Sequence, residues 1–163
     1  MRSLFRVLPI FILTGCVLLS GCSWFSSSSE AALQKRRIDL QVVAAPLINP
    51  GPNGQAQPLK VCIIELNKEG WSPPGLYQGT LCSGISVGGE VVSVTEYILA
   101  PTEVRQYSRD VPFEQERWWA IAAEFQEMSN GKSLLMLKSD ARADFNRVVL
   151  VDGKALSLKA STK

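Results

Sequence analysis

The sequence of 163 residues contains no histidine at all. Imidazole is the usual base in Ser-His-Asp and Cys-His catalysis and a common zinc ligand, so its absence excludes those catalytic groups and most zinc sites. Charged residues are also scarce, at 20% of the chain, whereas hydrophobic residues reach 46%. That balance is typical of a chain that folds around a core. The length suits one domain with short extra segments.

Positive charge exceeds negative charge only slightly, and the excess lies at the beginning of the chain. The sequence has 17 Lys and Arg and 15 Asp and Glu, which gives a formal charge of +2. Arg2 and Arg6 are the only charged residues before Glu30. Without residues 1–21 the chain is therefore neutral, with 15 basic and 15 acidic residues. A neutral body argues against nucleic-acid binding, which needs a concentrated basic face.

The first 22 residues have the three parts of an export signal. Arg2 and Arg6 give a positive start, and residues 7–19 form an apolar run of 13 residues. The small residues Ser20 and Gly21 then precede Cys22. The apolar run is too short to cross a bilayer comfortably, since a spanning helix needs about 20 residues.

Leu19-Ser20-Gly21-Cys22 resembles the lipobox of bacterial lipoproteins. In those proteins the signal is cut before the cysteine, the thiol carries a diacylglycerol, and the new N-terminus is acylated. The resemblance implies this covalent lipid on Cys22 and no other cofactor. The next residue is Ser and not Asp, which by the same resemblance implies the outer membrane. Acyl chains anchor stably because each buried methylene contributes about 0.8 kcal/mol.

Two other interpretations of this boundary remain open. Cys22 could be an ordinary small residue near a normal cleavage site, or Leu13-Thr14-Gly15-Cys16 could be the lipobox, although too few apolar residues precede it. Residues 23–35 are small, polar and without periodicity, which is typical of a flexible tether. We therefore predict a signal peptide at 1–21, a lipidated tether at 22–36 and a folded domain at 37–163.

The domain contains seven or eight segments with the alternation or the β-branched content of strands. Residues 117–127 fit a helical face and a strand face equally well, but the turn signal at 129–131 and the apolar run after it favour a strand. Residues 71–77 break the strand pattern and predict a short helical insertion. The predicted strands are 37–45, 59–66, 91–99, 104–108, 117–127, 134–137, 147–151 and 154–159.

Many strands, little helix and regular turn signals predict a mainly β fold, a two-sheet β-sandwich of about 125 residues. The loop between the first two strands is dense in turn formers and longer than a hairpin needs. Its ten residues are Asn49, Pro50, Gly51, Pro52, Asn53, Gly54, Gln55, Ala56, Gln57 and Pro58.

Four short passages carry a family resemblance: the Asn-Pro, Gly, Pro and Val of residues 47–61, Leu76-Tyr77, the turn at 97–101, and residues 117–125. In this order and spacing they resemble the SciN (TssJ) family, the outer-membrane lipoproteins of the type VI secretion system. The resemblance covers about residues 37–140 and the lipobox. The chain departs from the family pattern at three places, namely Gly51 in place of a common Asp, Gln126 in place of a common Arg, and Pro73-Pro74 in place of an Ala-Asp-Phe type of segment.

This resemblance implies a transthyretin-like β-sandwich tethered in the periplasm. It also implies binding to the periplasmic domain of TssM, the inner-membrane partner of the secretion complex. Loop 49–58 matches the partner contact of the family. The alternative is that loop 49–58 merely closes a hairpin, with its prolines limiting its conformational entropy.

Cys62 and Cys82 remain as the cysteines of the folded domain. Two cysteines in an exported domain suggest a disulfide, and two separate buried thiols are the alternative. No Cys-x-x-Cys spacing indicates a redox role. Glu114, Glu116, Glu124 and Glu127 are expected to solvate exposed faces and to pair with Arg117 or Lys132.

The leading hypothesis is therefore a lipoprotein without enzymatic activity that links a secretion machine to the periplasmic face of the outer membrane. A lipoprotein of another envelope assembly, such as a pilus or a wall-linked complex, is the first alternative. An envelope hydrolase needs converging carboxylates, because the chain has no histidine. A small-ligand carrier needs an apolar cavity.

Overall fold

The computed structural model describes residues 34–127 and 132–159, and its secondary structure consists of eight strands. Cys22, the lipobox, residues 22–33 of the predicted tether and the predicted turn at 129–131 lie outside the described residues. The strands are β1 (Lys35–Ile48), β2 (Leu59–Leu66), β3 (Val91–Leu99), β4 (Val104–Pro112), β5 (Arg117–Glu124), β6 (Leu134–Ser139), β7 (Phe145–Gly153) and β8 (Ala155–Leu158).

The strands form two four-stranded sheets, which we call sheet I and sheet II. Sheet I has the order β4-β1-β7-β8, and sheet II has the order β3-β2-β5-β6. All neighbouring strands are antiparallel except β1 and β7, which run parallel. The predicted two-sheet β-sandwich is confirmed.

The main core lies between the two sheets. In β1 every second residue faces it, since Ile38, Leu40 and Val42 are fully buried while Arg37 is exposed. This is the period of two expected of a strand with one face in the core. From sheet II, Ile63, Trp119 and Ile121 meet these side chains. A buried aliphatic side chain contributes about 1.5–3 kcal/mol, so this layer is a main source of stability.

The outer face of sheet II carries a second apolar cluster. Residues 67–90, which we call the cover, contribute Leu81 and Cys82 to this cluster, and these pack with Ile64 and Leu66 of β2 and with Ala122 of β5. The central strands β2 and β5 of sheet II are therefore buried on both faces, and the last six residues of β2, Val61 to Leu66, are all buried.

The disulfide suggested by the sequence is present between Cys62 of β2 and Cys82 of the cover, with 5.7 Å between the two Cα atoms. The bridge closes a loop with a sequence separation of 20 residues. In the chain-entropy description a loop of this length stabilises the fold by about 3 kcal/mol. The bridge therefore fastens an irregular segment to the central strand of sheet II.

The predicted helical insertion at 71–77 is wrong, because no helix is present among residues 34–127 and 132–159. The segment forms successive turns, in which the amides of Leu76 and Gln78 donate to the carbonyls of Pro73 and Gly75 at 3.1 Å. The proline pair supplies no amide hydrogen, and Gly79 adopts a φ of 75°, so a regular helix cannot propagate here.

Strand bounds follow the sequence pattern closely. β2 and β3 have the predicted bounds, and residues 117–124 are a strand as expected. β1 begins at Lys35, two residues earlier than predicted, so Arg36 belongs to the sheet and not to the tether. Arg36 is 2% exposed, and its burial explains why the strand extends to it.

Candidate functional site: loop 49–58

Loop 49–58 lies at the end of the sandwich where β1 ends and β2 begins. The turn between β3 and β4, the end of β5 and the turn between β7 and β8 share this end, as the register of the strands requires. Lys35, the first residue of β1, lies at the opposite end of the same strand. β1 has 14 residues, which corresponds to a length of about 45 Å.

Asn49 holds the base of the loop. It is 4% exposed and adopts a left-handed φ of 46°. Its side-chain amide donates to the carbonyl of Pro58 at 3.1 Å, and its Oδ1 accepts from the amide of Gln126 at 2.8 Å. Its backbone amide donates to the carbonyl of Gly153 at 2.7 Å. One residue therefore ties the loop to β5 and to the turn between β7 and β8.

Bonds within the loop fix its shape above this base. The amide of Gly51 donates to the carbonyl of Gln55 at 3.0 Å, and the amide of Gly54 donates to the carbonyl of Gly51 at 2.8 Å. Gly54 has a φ of 73°, which a residue with a side chain adopts at a cost. The exposed tip consists of Pro52, Asn53, Gly54 and Gln55.

Gln57 and Gln126 connect the loop to the end of β5 through a side-chain hydrogen bond. A Cβ at Gly51 would lie 2.2 Å from Nε2 of Gln57, so a larger residue at position 51 would displace this glutamine. Gly51 and Gln126, two departures from the family pattern, therefore meet at the side chain of Gln57.

The loop presents an uncharged surface. None of its ten residues carries a charge, and its exposed groups are amides and proline rings. An ion pair between Lys154 and Glu127 lies at the same end of the described structure. Such a surface suits recognition by hydrogen bonding and shape, because electrostatic steering needs charged groups.

A buried polar cluster occupies the opposite end of the sandwich. Glu65 is 2% exposed and pairs with Nε of Arg109 at 2.8 Å and with Nε of Arg117 at 3.1 Å. Arg36 donates to the carbonyl of Gln115 at 2.7 Å, and burial together with Arg117 lowers its pKa below the usual value. This cluster joins strands of both sheets near the start of β1.

Residues 36–154 match the T6SS-SciN family, which is described as type VI secretion lipoprotein, VasD, EvfM and TssJ. The chain belongs to this family. Its members are structural lipoprotein components of type VI secretion and are not enzymes. A comparison with curated proteins finds no match.

Solved structures share the fold of this type VI secretion lipoprotein. The lipoprotein TssJ1 from Pseudomonas aeruginosa matches with a TM-score of 0.64 and 23% identity over 80% of this chain and 99% of that chain. Serratia marcescens Lip, a membrane-bound component of the Type VI Secretion System, matches with a TM-score of 0.60 and 13% identity over 76% and 97% of the two chains.

A further chain comes from the structure described as the T6SS protein TssM C-terminal domain from EAEC. It matches with a TM-score of 0.59 and 18% identity over 78% of this chain and 99% of that chain. At these identities the likeness concerns the fold. The β-sandwich of this protein is thus the architecture found in type VI secretion components.

The predicted site residues of the lipoprotein fall into separate places. All ten residues from 49 to 58 form one loop, whereas Cys62 lies in β2 and Cys82 in the cover. The sequence pattern did not indicate the central role of Asn49 or its contact with Gln126. An Asn before Pro at a strand end was the available signal, because Asn tolerates a left-handed backbone and its amide bonds to nearby main chain.

The acidic residues Glu114, Glu116, Glu124 and Glu127 are exposed or half-buried, but the prediction of their partners is wrong. Glu114 pairs with Arg142 at 3.0 Å, and Glu116 pairs with Lys138 at 3.0 Å. Glu124 accepts from the amide of Cys82 at 2.8 Å. Sequence distance suggested Arg117 as a partner for these residues, whereas the strand register brings Arg117 to the buried Glu65.

Within residues 34–127 and 132–159 no group of His, Cys, Asp and Glu side chains is arranged to hold a metal ion. The same part of the chain contains no helix with the length and apolar content needed to span a membrane.

Proposed function

We propose that this type VI secretion lipoprotein is anchored to the periplasmic face of the outer membrane through a lipid on Cys22 and binds the periplasmic domain of TssM through loop 49–58. The observation that carries the proposal is the arrangement around Asn49, which holds an uncharged loop with an exposed tip at the end of β1 distant from Lys35. Family membership supports the same role.

A preformed loop favours binding because little conformational entropy is lost when the partner engages. The base of loop 49–58 is fixed by three hydrogen bonds of Asn49, and its tip is fixed by the bonds of Gly51 and Gly54. The tip residues Pro52 to Gln55 are exposed and have no charge. The matching surface on TssM is therefore expected to be a cleft lined by uncharged hydrogen-bonding groups.

The tether and the loop have separate roles in this proposal. The lipid attaches to Cys22, and the chain enters the sandwich at Lys35, so the loop points away from the point of entry. A lipoprotein of another envelope assembly would use the same anchor, but the family match favours type VI secretion.

The test is co-purification of the full chain with the periplasmic domain of TssM. Replacing residues 50–57 by a two-residue turn should abolish capture, while Tyr77→Phe, a conservative change at an exposed site, should leave it intact. Unchanged capture by the loop variant would remove loop 49–58 from the interface.

The anchor is tested separately by Cys22→Ala and membrane fractionation. We expect the variant to leave the outer-membrane fraction and still to capture TssM in detergent extracts. Continued flotation of Cys22→Ala with outer membranes would refute the lipid anchor.

A further inference from the structure

Strand β4 forms one edge of sheet I, where its single neighbour among the described strands is β1. Seven of its nine residues are exposed, whereas β3, the other edge strand of nine residues, has three exposed residues. The edge strands β6 and β8 have six and four residues. β4 is therefore a long and open edge, and such an edge is a template for pairing with a further strand.

The hydrogen bonds to β1 show which backbone groups of β4 are free. The amide of Ala44 donates to the carbonyl of Glu103 at 2.9 Å. Because hydrogen-bonded positions alternate along an antiparallel ladder, the odd-numbered residues of β4 direct their N–H and C=O groups toward β1. The even-numbered residues direct theirs toward the free edge, where no backbone group of residues 34–127 and 132–159 bonds to them. These residues are Val104, Gln106, Ser108 and Asp110.

The side chains of the odd-numbered residues carry charges along the core-facing side of this edge. Arg105 and Arg109 are on that side, because they are in register with the buried Val42 and Ile38. Glu103 is on the same side, since it pairs with Arg105 at 2.6 Å. The side chains of Glu103, Arg105 and Arg109 are 27%, 51% and 41% exposed. Charges at an edge oppose pairing with a further strand unless that strand supplies complementary charges.

A second copy of β4 supplies those charges when the two strands run antiparallel with Gln106 opposite Gln106. Each Glu103 then lies opposite Arg109 of the second copy, and each Arg105 lies opposite Tyr107 of the second copy. Opposite charges stabilise such cross-strand pairs, and a guanidinium is attracted to an aromatic ring. The interface is symmetric, so every favourable pair occurs twice.

Neighbouring registers lack this match. A centre at Tyr107 places Arg105 opposite Arg109, and a centre at Arg105 places two arginines opposite each other, which is destabilising. A centre at Ser108 forms no ion pair. A centre at Val104 requires the turn residue Thr102, which has a φ of 65°, to join the ladder.

We propose that two copies of the chain pair through β4 in the register centred on Gln106, which joins their two copies of sheet I into one continuous sheet. Val104 pairs with Ser108 of the second copy, Gln106 with Gln106 and Ser108 with Val104, and two bonds in each pair give about six backbone hydrogen bonds. Glu103 lies between Arg105 of its own chain and Arg109 of the second copy, so the charges alternate along the junction. The paired segment 103–109 does not include loop 49–58.

The first experiment cross-links single-cysteine variants of the full chain in its membrane with a short bis-methanethiosulfonate reagent. Gln106→Cys should give a cross-linked dimer, because the Cα atoms of a hydrogen-bonded pair are about 5.5 Å apart. Val104→Cys and Ser108→Cys should each give almost none alone, since each lies about 14 Å from its equivalent. The two variants should cross-link to each other when they are expressed together.

Two controls accompany this experiment. Met136→Cys on the edge strand β6 is also exposed and measures random collisions. The unmodified chain measures any reaction of Cys22, because Cys62 and Cys82 are bonded to each other.

The second experiment reverses a charge of the junction. Glu103→Arg should weaken self-association of the full chain in detergent by about tenfold or more in sedimentation equilibrium, because two ion pairs become two like-charge pairs. Glu116→Arg is the matched control, since Glu116 is also an exposed glutamate in an ion pair but lies at the start of β5. It should associate as the unmodified chain does.

Equal cross-linking of Gln106→Cys and Met136→Cys, cross-linking of Ser108→Cys alone, capture of a different protein in place of a second copy, or unchanged association of Glu103→Arg would overturn the proposal. Thermal unfolding checks the fold of each variant. Gln106 is exposed, so Gln106→Cys should unfold at the same temperature as the unmodified chain.

Discussion

The outer faces of the two sheets differ in what lies on them. Sheet II has the cover on its outer face, fastened by the Cys62–Cys82 bridge, whereas the outward residues of β1 in sheet I, such as Gln41 and Val43, are half-buried. The burial pattern of each central strand reflects this difference, since β2 is buried at nearly every position and β1 at every second one. The disulfide is a covalent link between sheet II and an irregular segment that contains none of the eight strands.

Ile64→Ala should have the largest effect on this comparison. Ile64 is 0% exposed between sheet II and the cover, and a large-to-small change at such a site costs about 2–5 kcal/mol. Val43→Ala on the outer face of sheet I is the matched control and should cost about 1 kcal/mol or less. Urea unfolding with the disulfide intact measures both. Equal losses would show that the cover does not bury sheet II in solution.

Removal of the bridge should come next. The double change Cys62→Ala and Cys82→Ala should lower the free energy of unfolding by about 3 kcal/mol, because the unfolded chain gains freedom. Hydrogen exchange should become faster in all amides that exchange through global unfolding, including those of β1, and the largest increase should lie in residues 67–90, which also open locally. A reductant should reproduce the effect in the unmodified chain and have none in the double variant. An equal acceleration in residues 67–90 and in β1 would contradict a specific role of the bridge in fastening the cover.

Asn49 lies at the base of loop 49–58 and on neither outer face, so its substitution tests the loop separately from the two sheets. Asn49→Ala should cost about 1–3 kcal/mol, because the amide of Gln126 and the carbonyl of Pro58 lose their partner. Asn49→Gly loses the same bonds but accepts the left-handed φ, so it should be less destabilised. Thermal unfolding measures the difference. A glycine variant as unstable as the alanine variant would show that the φ of 46° carries no cost.

Lys154→Ala should have the smallest effect. Its ion pair with Glu127 is exposed to solvent, and such pairs contribute about 0–1 kcal/mol. Stability should change little, and any change should disappear at high salt. Thermal unfolding at two ionic strengths gives the result. A large loss would mean that this pair supports the neighbouring loop.

The sequence predicted the fold where local pattern and tertiary burial agree. The apolar residues 59–66 and the β-branched residues 91–99 gave correct strand bounds, because both segments lie in one sheet and end at turn formers. Residues 71–77 form turns and not the predicted helix. Trp71 and Leu76 pack against the apolar cluster on the outer face of sheet II, and this packing requires no helical period. Only the family resemblance indicates loop 49–58 as a candidate site, since its residues alone are equally typical of a loop that closes a hairpin.

Ion pairs between residues that are distant in the sequence could not be predicted from local patterns. Glu65 sits in an apolar run, and nothing local indicates that Arg109 and Arg117 reach it from β4 and β5. The same holds for Asn49 and Gln126, which are 77 residues apart. Such contacts follow from strand order and register, which local patterns do not determine.

The course of β1 has a mechanical consequence for the proposed role. If the lipid holds one end of the chain and TssM holds loop 49–58, tension enters at Lys35 and leaves at Asn49, so it runs along the covalent backbone of β1. An extended strand has little length left to give, at about 3.3 Å per residue. Optical-tweezer handles at residues 35 and 50 should record almost no lengthening at forces that unravel sandwiches pulled by their two termini. The remaining seven strands would then carry almost none of the load between the membrane and the machine.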